Sequence, residues 1–333
     1  MTTDFTPAIP PVRNSATLLK LSVLSLATLL SLLAPSTYAA DDDDADNDGF
    51  FGLNWLDQTQ ANFTGRADTL ARRLDRAFGV ERSDLEAAYS SLRLGTEFRY
   101  EEGEGFEPHL RLRGTLHLPR VNERLSLIFS EDKGEGSSYY SQNELLDKPQ
   151  STRVNLEVNL SDTDRHRFDF RVGLRSNLKL RTSVRYRYED ALSNRMQHRL
   201  SETVYFIDGQ GYGSFTQYQI DRELNSTSLL RWSSEFRAQE DLDTLEWGTS
   251  LNHVSTYANN IAMSYYARMG GTTDQNYVGE YQVGVRFRRN IARPWLFIEL
   301  SPGYSWEKVS DDIPREGSIF ASIRLEMAIG RLQ

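Results

Sequence analysis

The feature that most constrains this chain is a period of two. In residues 181–190, RTSVRYRYED, Thr182, Val184, Tyr186 and Tyr188 alternate with Arg181, Ser183, Arg185 and Arg187. Successive side chains of a strand point to opposite faces, so one face is apolar and aromatic and the other cationic. A helix, with its period of 3.6, does not sort these residues that way. Residues 92–100 repeat the scheme, with Leu92, Leu94, Thr96, Phe98 and Tyr100 opposite Arg93, Gly95, Glu97 and Arg99. Leu110, Leu112, Leu116 and Leu118 likewise oppose His109, Arg111, Arg113 and His117. The alternation recurs over 154–160, 168–174, 230–238, 245–251, 261–269, 279–287, 296–306 and 319–329. The expected fold class is all-β.

A soluble sandwich also alternates, but its strands usually run about five or six residues. Several segments here run longer, in the range of about nine to eleven that a transmembrane strand needs. The polar face carries Arg and Glu on almost every segment. The apolar face often ends in an aromatic, as at Phe98 and Tyr100, Tyr186 and Tyr188, or Tyr304 and Trp306. Short turns link the segments without helical crossovers. On these residues the chain resembles Gram-negative outer-membrane β-barrels with porin-like architecture, over roughly residues 90–333, with no specific family indicated. The resemblance implies a transmembrane antiparallel β-barrel of about 12–14 strands, apolar outside and polar inside. It also implies the cell outer membrane as location, with outer-membrane lipids and the barrel assembly machinery as partners. The chain departs from the usual pattern by ending Gly330-Arg331-Leu332-Gln333 and not in an aromatic. Residues 196–222 are polar in either phase, and this hairpin is expected to project beyond the bilayer if the barrel has about twelve strands. The stretch 131–151 is expected as the longest extracellular loop, and 119–122 and 289–293 as periplasmic turns.

The rest of the chain divides by composition. Arg13 and Lys20 precede an apolar run from Leu21 to Ala34, and Thr37-Tyr38-Ala39 supplies small residues for cleavage, so 1–39 reads as a signal peptide. Residues 40–62 form an acidic linker. Within it Asp44, Asp46, Asp48 and Gly49 match the first half of a calcium loop, but the twelfth position is Trp55 and not the bidentate Glu that closes such a loop. A solvated tether is the better reading. In 63–78, Phe63, Ala67, Leu70, Leu74, Ala77 and Phe78 share a helical face, Gly79 stands as a C-cap, and Ser83-Asp84-Leu85-Glu86 is a capping box. Residues 63–90 are therefore a helical segment, periplasmic or plugging, ahead of a barrel over 91–333. The chain has no cysteine, which excludes thiolate metal sites. A net charge of −9 disfavours nucleic acid as a partner.

The inward phase supplies the candidate site. Arg93, Arg111, Arg113, Arg171, Arg181, Arg185, Arg187, Arg231, Glu235, Glu280, Arg286 and Glu299 are expected to line a pore. Charged rings of this kind select solutes. Mutual pairing of the same residues in a closed interior is the structural alternative. The expected function is passive passage of small hydrophilic solutes with a preference for anions. One alternative is a lipid hydrolase, because His253 and Ser255 resemble the His-x-Ser pair of outer-membrane phospholipases and lipid A deacylases. Here Thr256-Tyr257 follow, departing from that motif, and no third orienting group is evident. A structural or docking barrel is the other alternative. Gly209, Gly211 and Gly213 read as a hairpin turn, and no catalytic residue, metal ligand or cofactor is expected.

Overall fold

The computed structural model describes residues 70, 71, 74, 91–117, 125–131, 152–163, 165–175, 179–240, 244–258, 261–293 and 295–330. The expected signal peptide over 1–39, the expected acidic linker over 40–62, the expected loop over 132–151 and most of 63–90 lie outside the described residues. Fourteen strands follow: β1 (Ser91–Glu101), β2 (Gly105–His117), β3 (Leu125–Glu131), β4 (Thr152–Asp162), β5 (His166–Arg175), β6 (Leu180–Ser193), β7 (Met196–Ile207), β8 (Gly211–Asn225), β9 (Ser228–Gln239), β10 (Glu246–Ala258), β11 (Ile261–Thr272), β12 (Glu280–Asn290), β13 (Leu296–Glu307) and β14 (Glu316–Gly330). Each pairs with its sequence neighbours, and β14 returns to β1 to close a barrel. The seam runs antiparallel from Ser91 opposite Gly330 to Glu101 opposite Phe320. The rim holding Ser91 and Gly330 is called here the near rim, and the opposite one the far rim.

Burial follows the alternation. Along β6, Arg181, Ser183 and Arg187 are buried while Leu180 and Val184 are exposed. The same contrast separates Arg93, Glu97 and Arg99 from Phe98 and Tyr100 on β1. Residues 196–222 decide between the twelve and the fourteen strands that the sequence left open. The hairpin does not project beyond the barrel: β7 and β8 pair along their length with β6 and β9 as full members of the wall. Their inward phase is Arg199, Ser201, Thr203 and Tyr205 on β7, and Phe215, Gln217, Gln219 and Asp221 on β8. Gly209 and Gly211, with φ of 77° and 82°, make the turn between them in a conformation that favours glycine.

Two irregularities shape the wall. The first is aromatic side chains laid over glycines on the neighbouring strand: Tyr205 opposite Gly213, Tyr266 opposite Gly284 and Phe320 opposite Gly303. A Cβ on Gly303 would fall 2.1 Å from Phe320 Cζ and 2.8 Å from the Val283 carbonyl. The glycine makes room for the ring, and the ring covers backbone that a side chain would otherwise cover. Pro302, next to it and facing outward, has no N–H to give, and the β12–β13 ladder skips from Gly284–Gly303 to Phe287–Leu300.

The second irregularity is a set of β-bulges. β4, β6, β8 and β10 each slip register near the near rim, at Asn159/Ser161, Ala191/Ser193, Glu223/Asn225 and Thr256/Ala258. The skipped residues are Leu160, Leu192, Leu224 and Tyr257, all large and exposed. Bulges concentrate at barrel rims because the extra residue re-aims a side chain without disturbing the strand body. At the far rim, Arg315 binds the loops together, donating to the Val278 carbonyl at 2.5 Å and the Trp306 carbonyl at 2.8 Å.

Gly303→Val drives methyl groups into Phe320 and the Val283 carbonyl. It is expected to cost about 1–3 kcal/mol as overpacking. The check is the temperature at which the protein, held in SDS, changes from its folded to its unfolded gel mobility; Val there should lower it, and an unchanged midpoint would contradict the ring-over-glycine account.

Candidate functional site: the charged inner wall

The inward phase carries three electrostatic sectors. The first straddles the seam. Glu97, fully buried on β1, accepts from Arg324 Nη2 at 3.0 Å and forms an ion pair with Arg111, whose Nε lies 2.6 Å away. Arg324 Nη1 also reaches Glu299 at 3.3 Å, and Glu299 receives Arg288 at 3.2 Å and faces Arg286 at 3.6 Å. Arg288 continues to Glu326 at 2.5 Å, which Arg93 approaches at 2.9 Å. One zigzag thus links β2, β1, β14, β13 and β12. Each carboxylate serves more than one guanidinium, which is how charges withdrawn from water recover their solvation.

The second sector, over β8 to β11, is balanced pair by pair. Arg231 grips Asp221 with two bonds of 2.6 and 2.7 Å, and Gln219 adds bonds of 3.0 Å to the same carboxylate. Arg237 pairs with Glu246, and Arg268 with Glu235 at 3.2 Å. A planar guanidinium meeting a carboxylate twice is the strongest of these geometries.

The third sector, over β4 to β7, is unbalanced. Arg167 donates to Asp169 at 2.9 and 3.0 Å, Arg171 pairs with Glu157, and Arg199 reaches Glu189 at 2.5 Å with Arg187 3.9 Å from the same carboxylate. Arg181 stacks over the Tyr205 ring at 4.5 Å. Arg185 sits opposite Asp169 in register, yet among the described residues no carboxylate lies within ion-pairing distance of it. Its Nε, buried, has no hydrogen-bond partner among the described residues. Arginines outnumber carboxylates on this arc.

All twelve candidate residues fall on the inward phase. Arg171, Arg181, Arg185 and Arg187 come together on β5 and β6, and Arg286, Glu299, Arg93 and Arg111 join the seam network. Glu235 and Arg231 belong to the balanced pairs; Arg113 and Glu280 occupy the inner face of β2 and β12. Sequence reasoning missed Asp221, Arg199, Glu189 and Arg167 as members of the wall. The first two lie in the hairpin whose phase the sequence left open. Tyr205 and Thr203, alternating with Val204 and Phe206, were the clue to their phase.

The outer face is different. Leu110, Leu156, Leu174, Val184, Val204, Leu251, Leu300, Ile323 and Leu325 are exposed there. Aromatic contacts run across β5 to β9, from His166 and Tyr188 at 5.1 Å through Tyr188 and His198 at 5.6 Å to Tyr218 and Trp232 at 5.9 Å. Outward polar groups bond sideways: Thr216 Oγ1 donates to Glu202 at 2.5 Å, and Trp232 Nε1 and Ser234 Oγ both donate to Thr249 Oγ1 at 2.9 Å. A soluble protein does not wrap its charges inside and its aliphatic side chains outside; a closed barrel in lipid must. The chain has the architecture of a membrane-spanning β-barrel.

No family model matches the barrel's sequence, and no curated protein does. Solved structures similar to the barrel include an anion-selective porin from Comamonas acidovorans, at 8% identity and a TM-score of 0.45, covering 72% of this chain and 98% of that one. Another is OprD of Pseudomonas aeruginosa, at 7% identity and a TM-score of 0.42, covering 74% of this chain and 96% of that one. The NanC porin, at 7% identity and a TM-score of 0.37, covers 70% of this chain and 98% of its own.

His253 and Ser255 lie near the near-rim end of β10 and are turned to different partners. The His253 ring faces Tyr265 at 6.1 Å, and the Ser255 hydroxyl points at the Met263 carbonyl at 3.5 Å. In the far-rim loops, hydrogen bonds from the Thr272 and Thr244 hydroxyls hold the Asp274 carboxyl below its usual range.

Glu97→Ala would leave Arg111 and Arg324 buried beside an empty position. Breaking such a network by removing one member costs about 3–5 kcal/mol. The expected result is a clear loss of SDS resistance, with Glu97→Gln retaining more of it. Glu202→Val is expected to do the reverse and raise stability by about 1 kcal/mol, since acids on a lipid face are unfavourable, though less so than Arg or Lys. Equal unfolding midpoints for Glu97→Ala and the unaltered barrel would contradict the network's role.

Proposed function

We propose that the barrel is a passive channel for small hydrophilic solutes with a preference for anions. The observation that carries this is the excess of guanidinium over carboxylate on the inner arc of β4 to β7. Uncompensated positive charge on a low-dielectric wall raises the local concentration of anions, and added salt weakens the effect by screening. Arg185, with no carboxylate within ion-pairing distance among the described residues, is the group on which the preference chiefly rests. On this reading residues 1–39 direct export, the near rim with its turns at 194–195 and 226–227 is periplasmic, and the barrel assembly machinery inserts the chain. Outer-membrane lipids then contact the apolar belt.

The extent of ion pairing supports a second reading, a structural barrel without transport. The seam network and the β8–β11 pairs leave few charges for a solute, and the buried pairs hold the wall together whether or not ions pass. The two readings separate in planar bilayers. Purified protein is expected to give stepwise single-channel currents, with a reversal potential in a salt gradient that favours anions. Arg181→Ser with Arg185→Ser is expected to move that potential toward cations and to lessen its dependence on salt, while the barrel keeps its SDS resistance. Silence at high protein-to-lipid ratio would favour the structural reading. Currents with unchanged selectivity in the double variant would show that this arc does not face the conducting path.

A further inference from the structure

Most of the inner wall is polar, but three adjacent strands break the rule near the near rim. Leu229 on β9 and Val254 on β10 are direct register partners, and Ala262 on β11 lies beside them opposite Thr256. All three take the inward phase, and the next inward residues along their strands are Arg231, Asn252 and Ser264. An apolar side chain on the wall of a water-filled bore should be wetted, yet these are only 1%, 1% and 3% exposed. Something covers them. The cover is helical: Leu70, Ala71 and Leu74, exposed 7%, 0% and 0%, join them in a single buried apolar cluster. Positions i, i+1 and i+4 lie along one stripe of a helix, so the three residues present one surface to the ledge.

We propose that this ledge is a docking seat for the chain's own helical segment bearing Leu70, Ala71 and Leu74, and that the seated segment constricts the near-rim mouth. The seat's chemistry suits that occupant. It is small and apolar, and it lies in the balanced sector, where Arg231 is already held by Asp221, so a neutral helical stripe meets no unpaired charge there. Leu70, Ala71 and Leu74 thus lie against β9 to β11, on the balanced side of the wall. Docking itself is independent of transport; the constriction rests on the channel reading above.

The absence of cysteine from the chain makes the test clean. Leu74→Cys is combined in the full-length protein with Val254→Cys, with Leu229→Cys, or with the outward-facing control Leu251→Cys. Oxidation of the folded barrel is expected to cross-link Leu74→Cys to the first two positions and not to the control, read as a gel shift reversed by reductant. Single-channel conductance is expected to be at least twofold lower in the oxidised than in the reduced state. Leu74→Asp, which cannot dock, should conduct at least as well as the reduced form. Failure of both inward pairs to cross-link in a barrel that keeps its SDS resistance would overturn the seat. Cross-linking with equal, measurable conductance in both states would overturn the constriction. Absence of current in every variant would overturn the channel reading and with it the constriction, while the gel shift would still decide the seat.

Discussion

The structure depends on one constraint: in hydrocarbon no backbone N–H or C=O can turn to water. A sheet meets that condition only by having no edges. The pairing of β1 with β14 is therefore what makes the other thirteen pairings viable in a bilayer. Once the ladder closes, alternation assigns every second residue to a space shut off from lipid, and the charges go there because nowhere else will take them. The seam is reinforced by the side chains it brings together. Glu97 on β1 and Arg324 on β14, far apart in sequence, meet across it at 3.0 Å. That pair is anchored on both sides by Arg111 and Glu299.

The inner wall does two jobs that pull in different directions. Structural economy favours pairing every charge, because an unpaired buried ion costs several kcal/mol. Field strength requires leaving some unpaired. The barrel resolves the conflict by sector: β8 to β11 are matched one for one, the seam shares each carboxylate among two or more arginines, and β4 to β7 include Arg185, which no described carboxylate reaches within ion-pairing distance. Rings over glycines fill the wall between these charged groups. Phe320 fills the space above Gly303 just beyond the reach of the seam network.

Much of this was legible in the sequence because a barrel wall converts its geometry into a two-residue period. Segments such as 92–100 and 181–190 state their phase in every residue, and the arginines on them fell on the inner face as expected. The hairpin over 196–222 was harder for a physical reason. Glu202 faces outward and is held by Thr216, while Tyr205 and Phe215 face inward, so each phase holds residues of the other's character. β3 is short and was not separated from its surroundings. Pairings such as Arg231 with Asp221 depend on register between strands, which composition does not encode. The ledge formed by Leu229, Val254 and Ala262 was invisible for the opposite reason: isolated apolar residues at inward positions look like noise until three adjacent strands place them side by side.

The bulges at Leu160, Leu192, Leu224 and Tyr257 occur once in each of four successive descending strands, always at the same rim. An extra residue in mid-strand would throw everything after it onto the wrong face. Placed one or two residues before the turn, it has almost nothing left to scramble, and the next strand begins with its phase reset. Each of these hairpins is thus a self-contained unit of register. A barrel assembled from such units can lengthen or lose a hairpin without rewriting its neighbours, so its circumference is a property that sequence change can adjust in whole steps.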